Sequence, residues 1–271
     1  MFLDLKRLLS HLPTDVDRHD TFLLLQHVLK IPYEKLFFTK KINITDQEFI
    51  ELDKYLHLRS VGMPIAKIVE HKAFYNNEFK TTIDTLDPRP ETELIVDLFL
   101  KYFPYKSAHI SILDLGCGTG CIGLSIIDLY PNATLCLADI SEEALAVAED
   151  NAKNTNLKQR CSFIKTDWFK NINGQFDAVV CNPPYIENGY QLDKSTLYDP
   201  HIALFGGNDG LEAYKEILPC VRKFLRSGGF LFLEIGIGQR IEVCKIAKST
   251  TVIEIAKDLQ GIERTIVFCN G

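Results

Sequence analysis

Residues 114–124 read DLGCGTGCIGL. They follow an apolar run, 109–115, that predicts a strand, and they lead into a helical pattern over 120–130. Within them Gly118-Thr119-Gly120-Cys121-Ile122-Gly123 satisfies GxGxxG, a weak pattern alone. The fuller pattern is more specific: an acid on the strand itself, Asp114, then glycines at alternate positions 116, 118 and 120. Glycines so placed let the backbone approach a ligand closely and leave N–H groups facing it. A pyrophosphate suits such a loop, and so does the amino-acid part of S-adenosylmethionine. The next strand, Thr134–Asp139, ends on an acid placed to hold both hydroxyls of a ribose. The plain alternative is a strand-to-helix turn with no ligand. The paired acid and the strand context weigh against it.

Downstream the alternation continues. A helix over 141–154 opens at Ser141, with Glu142 and Glu143 in its first turn. Strands are expected at 161–166, Phe176–Cys181, 230–235, 250–255 and 264–269, and helices at 209–226 and 238–248. Such alternation predicts a mostly parallel sheet of seven strands with helices on both faces. Upstream the pattern differs. Residues 1–60 read as helices, with apolar positions at helical spacing over 22–29 and 49–56, the second capped by Thr45 or Asp46. Residues 72–83 read as a hairpin around Asn76-Asn77. DPRPETE (87–93) then punctuates the chain and starts a helix running to about 103. The expected organisation is a helical domain over 1–70, a β-hairpin linker over 71–86 and an α/β domain over 87–271.

CNPPYIEN (181–188) closes the strand Phe176–Cys181. Proline lacks an N–H and fixes its own φ, so no strand continues through the pair. In open parallel sheets ligands sit beyond the carboxyl ends of the strands, which puts Asn182 at the same edge as the glycine loop and Asp139. The Asn182 side-chain oxygen and the Pro183 carbonyl make two neighbouring acceptors, a fit for a planar NH₂ group. The target is then a neutral nitrogen with a delocalised lone pair, as in a carboxamide or an exocyclic base amine. Holding both hydrogens aims the lone pair at a methyl donor, which is positioning plus electrostatic stabilisation rather than base catalysis. Pro184 extends the rigid turn, and Tyr185 walls the pocket or stacks on the planar group. A single NPP is often an ordinary turn. The strand before it and the glycine loop upstream argue for a site.

At 271 residues and 46% hydrophobic, the chain can build one large domain, or a large and a small one. Its net charge is −6; residues 1–80 carry 12 Lys or Arg against 11 Asp or Glu, which leaves −7 on the rest. No basic face announces nucleic acid as a direct partner. The start, MFLDLKRLLSHLPTD, lacks a signal-peptide core, and no apolar run approaches a membrane span. A cytoplasmic location without a membrane partner is expected. The eight cysteines mostly sit in strand-like apolar runs, with no CxxC pair and no histidines clustered on them. Reduced core thiols are expected, not zinc or disulfides.

The set DxGxGxG at 114–120, the acid at 139, TDWF at 166–169 and NPPY at 182–185 resembles class I S-adenosylmethionine-dependent methyltransferases that act on amide or amino nitrogen. NPPY alone is shared with adenine-N6 DNA and guanine-N2 rRNA enzymes. DPRPETE (87–93), DPHIALFGGNDGLEAY (199–214) and LEIGIGQ (233–239) are more specific. They resemble the HemK/PrmC family, the peptide-chain release factor N(5)-glutamine methyltransferases, over about residues 59–270. The resemblance implies methyl transfer from S-adenosylmethionine, leaving S-adenosylhomocysteine and using no metal, to the glutamine amide in the GGQ loop of release factors. Gly116, Cys117, Gly118, Thr119 and Gly120 would hold the methionine end of the cofactor, and Asp139 its ribose. Asp167 and Trp168 would flank its adenine; the other role open to Trp168, the only Trp, is a core aromatic. Asn182, Pro183, Pro184 and Tyr185 would form the glutamine and catalytic pocket, with Asn182 also at the cofactor. Arg89 would order its loop, contact the cofactor region, or pair with Glu91 or Glu93. Two positions depart from the family's usual residues: Asp87, usually apolar, and Asp199, usually Glu.

Three other readings are weighed at this point. A non-catalytic binding module would be expected to lose one of the cofactor or acceptor positions, and none is lost. A methyltransferase of an exocyclic base amine should show a Lys/Arg-rich recognition region, and nucleic acid enters the favoured reading only indirectly, through translation. A nicotinamide-dependent oxidoreductase would leave NPPY unexplained.

Overall fold

The computed structural model describes residues 2–10, 12 and 16–271; residues 1, 11 and 13–15, within the opening stretch read above, lie outside it. The chain divides where its pattern changes. One unit comprises Met1–His71 with Leu192–Tyr198, the other Lys72–Gln191 with Asp199–Gly271.

In the first unit the helices Arg18–Leu29, Tyr33–Phe38 and Asp46–Ser60 enclose a core that includes Phe22, Leu25, Leu36 and Leu52. Helix 46–60 starts at Thr45, one of the two caps expected. The Thr45 hydroxyl accepts from the Glu48 N–H (3.2 Å), and Glu48 accepts in return from the Thr45 N–H (2.7 Å). Such a reciprocal box is worth about 1 kcal/mol. The all-helix reading missed a small antiparallel sheet, β1 (Phe2–Asp4) on β2 (Lys41–Asn43). Three-residue strands carry too few alternations to register as a period; in β2 only Ile42 turns inward. The Tyr198 hydroxyl donates to the Val61 carbonyl at 3.1 Å and ties in the Leu192–Tyr198 segment.

The hairpin is β3 (His71–Phe74) and β4 (Asn77–Lys80). Its turn is Tyr75-Asn76, one residue earlier than expected. Tyr75 adopts φ 55°, held by two bonds: its N–H donates to Glu93 (2.8 Å) and its hydroxyl to Asp97 (3.0 Å). Tertiary anchoring thus overrides the local Asn-Asn preference. Phe74 and Phe79 are buried edge to face beneath the hairpin.

Seven strands form the main sheet: β5 (Ser111–Leu115), β6 (Thr134–Asp139), β7 (Cys161–Lys165), β8 (Phe176–Cys181), β9 (Leu225–Glu234), β10 (Thr251–Lys257) and β11 (Glu263–Cys269). Their order is β10-β11-β9-β8-β5-β6-β7, with β11 antiparallel to both its neighbours and the other pairings parallel. Alternate residues feed two cores: Ala178 and Val180 face one helical layer, Val179 and Cys181 the other. Burying a valine such as Val179 or Val180 contributes about 2 kcal/mol. Strand β9 is longer than the expected 230–235, and the expected helix 209–226 shortens to Glu212–Cys220 with a tight turn after it.

The chain winds outward from β5 in one direction through β6 and β7, and in the other through β8 and β9. Between β5 and β8 lies the switch point, where the connections leave a crevice at the carboxyl ends. The glycine loop follows β5 and NPPY follows β8, so the topology brings them to the same crevice.

Candidate active site

The loop after β5 is built from main chain. Gly116, Gly118 and Gly120 all take positive φ (71°, 53° and 76°). A Cβ on Gly118 would meet nothing within 4 Å, so the loop leaves open space on its ligand side. Two acids hold the loop. Asp139 Oδ2 accepts from the Gly118 N–H (2.9 Å) and its Oδ1 from the Ser141 N–H (3.0 Å). Burial pushes its carboxyl above the ordinary range against these N–H groups. Each oxygen keeps a lone pair for a hydroxyl. Asp114, almost wholly buried, accepts from the Gly123 N–H (2.9 Å) and anchors the start of helix Cys121–Leu129.

The expected site residues converge on a cavity of about 480 Å³ at this crevice, within the range of roughly 300–1,000 Å³ typical of small-molecule sites. Gly116, Cys117, Gly118, Thr119, Asp139, Asp167, Trp168, Asn182 and Pro184 line it. Gly120, Pro183 and Tyr185 stand behind that lining; Pro183 is buried, and Tyr185 packs on the core. Trp168 stands at φ 50°, and its carbonyl accepts from the buried Thr166 hydroxyl (3.0 Å). Its ring lies over Gly116, where a Cβ would sit 3.9 Å away. Asp167 meets Lys170 at 2.5 Å at the surface.

Asn182 is half-buried, and its Nδ2 donates to the Thr92 hydroxyl (3.2 Å). Thr92 in turn donates to Glu234 Oε2 (2.7 Å), and the Tyr185 hydroxyl donates to Glu234 Oε1 (3.1 Å). With its NH₂ engaged, Asn182 has its carbonyl oxygen left to offer a ligand. Glu234 is fully buried, and burial pushes its carboxyl up to about 7, opposed by the Thr92 and Tyr185 bonds and the Arg264 charge. Burial, with the Glu234 charge beside it, also pushes the Tyr185 phenol up. Gln239 clamps the NPPY turn, donating to the Tyr185 carbonyl (2.9 Å) and accepting from the Gly236 N–H (2.9 Å). The segment 204–207 seats the same turn: Ile186 N–H donates to the Leu204 carbonyl (2.9 Å), and Gly206 N–H to the Ile186 carbonyl (2.8 Å). A Cβ at Gly206 would lie 2.5 Å from the Pro184 carbonyl, so only glycine permits the approach.

Sequence reasoning named no role for Thr92, Glu234 or Gln239. The available signal was an acid closing an apolar strand in FLFLEI, as Asp139 closes β6. Of the roles open to Arg89, the pair with Glu91 or Glu93 is not formed: Arg89 lines the cavity and pairs with Asp199 at 2.6 Å. Glu93 is instead turned to the Tyr75 N–H. The Asp87 N–H also donates to Asp199 (3.2 Å), so the two positions that depart from the family's usual residues meet.

The winding of the sheet, the glycine loop after β5 and the acid closing β6 define a class I methyltransferase fold. It is shared with a methyltransferase from Pyrococcus furiosus, at TM-score 0.55 and 17% identity over 84% of this chain and all of that one. Residues 92–198 match the family model "Methyltransferase small domain", and residues 4–69 match "PrmC N-terminal domain". A release factor glutamine methyltransferase from Coxiella burnetii is 36% identical over 257 residues, covering 94% of this chain and 92% of that protein. The chain belongs to the release factor glutamine methyltransferase family. A bifunctional methyltransferase from Rickettsia typhi is 35% identical over 267 residues, 90% of this chain; the chain spans about half of that protein's length, 52%.

Proposed function

We propose that this chain methylates the side-chain amide nitrogen of a glutamine, the one in the GGQ loop of peptide-chain release factors, with S-adenosylmethionine as methyl donor. The observation that supports this is Asn182: it lines the same cavity as the glycine loop, and with its NH₂ tied to Thr92 its carbonyl oxygen is left to accept from a substrate amide. The residues present suit the cofactor. The open side of Gly118 admits the methionine end, Asp139 suits the ribose, and Trp168 beside Asp167 suits the adenine. When bound, S-adenosylmethionine supplies an electrophilic methyl group on its sulfonium.

The chain's own part is orientation. Asn182 Oδ1 and the Pro183 carbonyl accept the two hydrogens of the glutamine NH₂, which draws the nitrogen lone pair out of conjugation and aims it along the line of attack. The nitrogen gains a methyl group and becomes acidic, then loses one proton to water. No general base is needed, and Asn182 is none. A partner of this kind places the reaction in the cytoplasm.

The test uses labelled S-adenosylmethionine with release factor carrying Gln or Asn in the GGQ loop. Label is expected in the Gln form alone. Label entering DNA or rRNA instead, or entering both forms equally, overturns the reading.

A further inference from the structure

We propose that Glu234 is a positioning residue that sets, through the Thr92 hydroxyl, which end of the Asn182 amide faces the cavity. This rests on the reading that Asn182 accepts from the target amide. Glu234 closes β9 with no exposed surface, and each of its oxygens accepts one hydroxyl: Thr92 at 2.7 Å and Tyr185 at 3.1 Å. A hydroxyl has one proton to donate. When Thr92 directs that proton to Glu234, its oxygen is left to accept. Asn182 must then point its NH₂ at Thr92, as found at 3.2 Å, and its carbonyl at the cavity. An amide in isolation has no such preference: its two ends differ little in size, and only the polarity of the partner orders them.

A carboxylate out of water is costly, and an amide could be steered more cheaply by a neutral acceptor. What the acid adds is a fixed direction, since an ionised carboxylate can only accept. The charged and titratable groups facing it are few. Arg264 supplies attraction without a direct bond, its guanidinium being held by Asp258 at 3.3 Å. Glu91 repels. The Tyr185 phenol donates to the carboxylate, and the Tyr214 phenol donates to the Glu234 main-chain carbonyl (3.2 Å). The thiol of Cys181 lies in the same buried region, pushed well above its ordinary range by burial. In this setting the Glu234 carboxyl titrates up to about 7. Once protonated it can donate to Thr92. Thr92 can then donate to Asn182, and the amide turns over to present NH₂ to an incoming NH₂. Turnover therefore falls as pH drops through the neutral range, while the cofactor side of the cavity is untouched.

The full chain is assayed with labelled cofactor and release factor. Thr92→Val should lower kcat by about 100-fold, the cost of a reactant misplaced by about an ångström, with cofactor affinity unchanged. Thr92→Ser should restore most of the loss. Glu234→Gln should lower kcat by about 10-fold or more and flatten its dependence on pH from about 6 to about 8. A second readout needs no turnover. The Asn182 side-chain NH₂ resonances, assigned by their loss in Asn182→Ala, should titrate near neutral pH in the parent and not in Glu234→Gln. Folded variants that keep the parent kcat and pH profile, or Asn182 resonances that do not titrate, overturn the proposal. Absence of label in release factor with the parent protein overturns the functional reading instead, and the resonance titration still decides the role of Glu234.

Discussion

On the β5–β6 side of the cavity, the hydrogen bonds that shape the site run between main-chain N–H groups and two acids, Asp114 and Asp139, spaced within 26 residues of one another. On the β8 side main-chain bonds seat the NPPY turn, but the groups that order the Asn182 amide are side chains, Thr92, Asn182, Tyr185 and Glu234, drawn from three segments as much as 142 residues apart. The first arrangement shapes a surface that any ligand with the right outline can use. The second orders a single amide. A backbone cradle suits a cofactor of fixed shape, whereas a side-chain relay suits the discrimination of one kind of nitrogen from another.

The contrast breaks if the two sides cannot be damaged separately. Asn182→Ala carries the largest expected effect. It should reduce kcat by about a thousandfold, since it removes one of the two acceptors in a site where positioning is most of the catalysis. Cofactor affinity, read by calorimetry, should stay within a few-fold. A strong loss of affinity with normal turnover would move Asn182 to the cofactor side. Asp139→Ala should do the reverse. Removal of a half-buried carboxylate that holds the Gly118 N–H, and that on the proposed reading takes two ribose hydroxyls, should weaken cofactor binding by about 100-fold, with turnover at saturation largely kept.

These two sides were also unequally legible in the sequence. The cradle is a contiguous pattern, glycines at alternate positions after a strand and an acid closing the next strand, and each of its residues lies on the cavity or directly behind it. Asn182 was legible because two prolines can end a strand only at its edge. Thr92 and Glu234 were not, because their partnership is made by the sheet: β9 beside β8 brings residue 234 to residue 185, and the turn before helix Glu93–Tyr102 brings residue 92 to residues 234 and 182. Local periodicity carries no trace of such a meeting. The same limit explains Arg89, whose partner Asp199 lies 110 residues away while two glutamates stand within four. It explains the two short strands of the helical unit as well, where Lys41–Asn43 is too brief to alternate.

The smallest effect sharpens the comparison by separating the two buried acids. Glu234 has both oxygens engaged, whereas Asp114 Oδ1 has no partner among the described residues. Burial first, and then the Asp139 charge, pushes the Asp114 carboxyl up from 3.8 to about 7, with the Gly123 N–H opposing. The unfolded chain releases this proton near pH 4, while the folded chain holds it to about 7. Between those values the folded state binds the extra proton, so Asp114 erodes stability as pH rises through that window. Asp114→Asn keeps an oxygen for the Gly123 N–H and cannot titrate. Its stability by denaturant unfolding should therefore fall less between about pH 5 and pH 8 than the parent's, by about 1–2 kcal/mol. That is below the roughly 4 kcal/mol ceiling set by such a shift, because a buried charge draws relaxation from its surroundings. Turnover should keep its neutral-range pH dependence, since that belongs to Glu234. If Asp114→Asn flattened the activity profile and Glu234→Gln did not, the relay and the cradle would have exchanged roles.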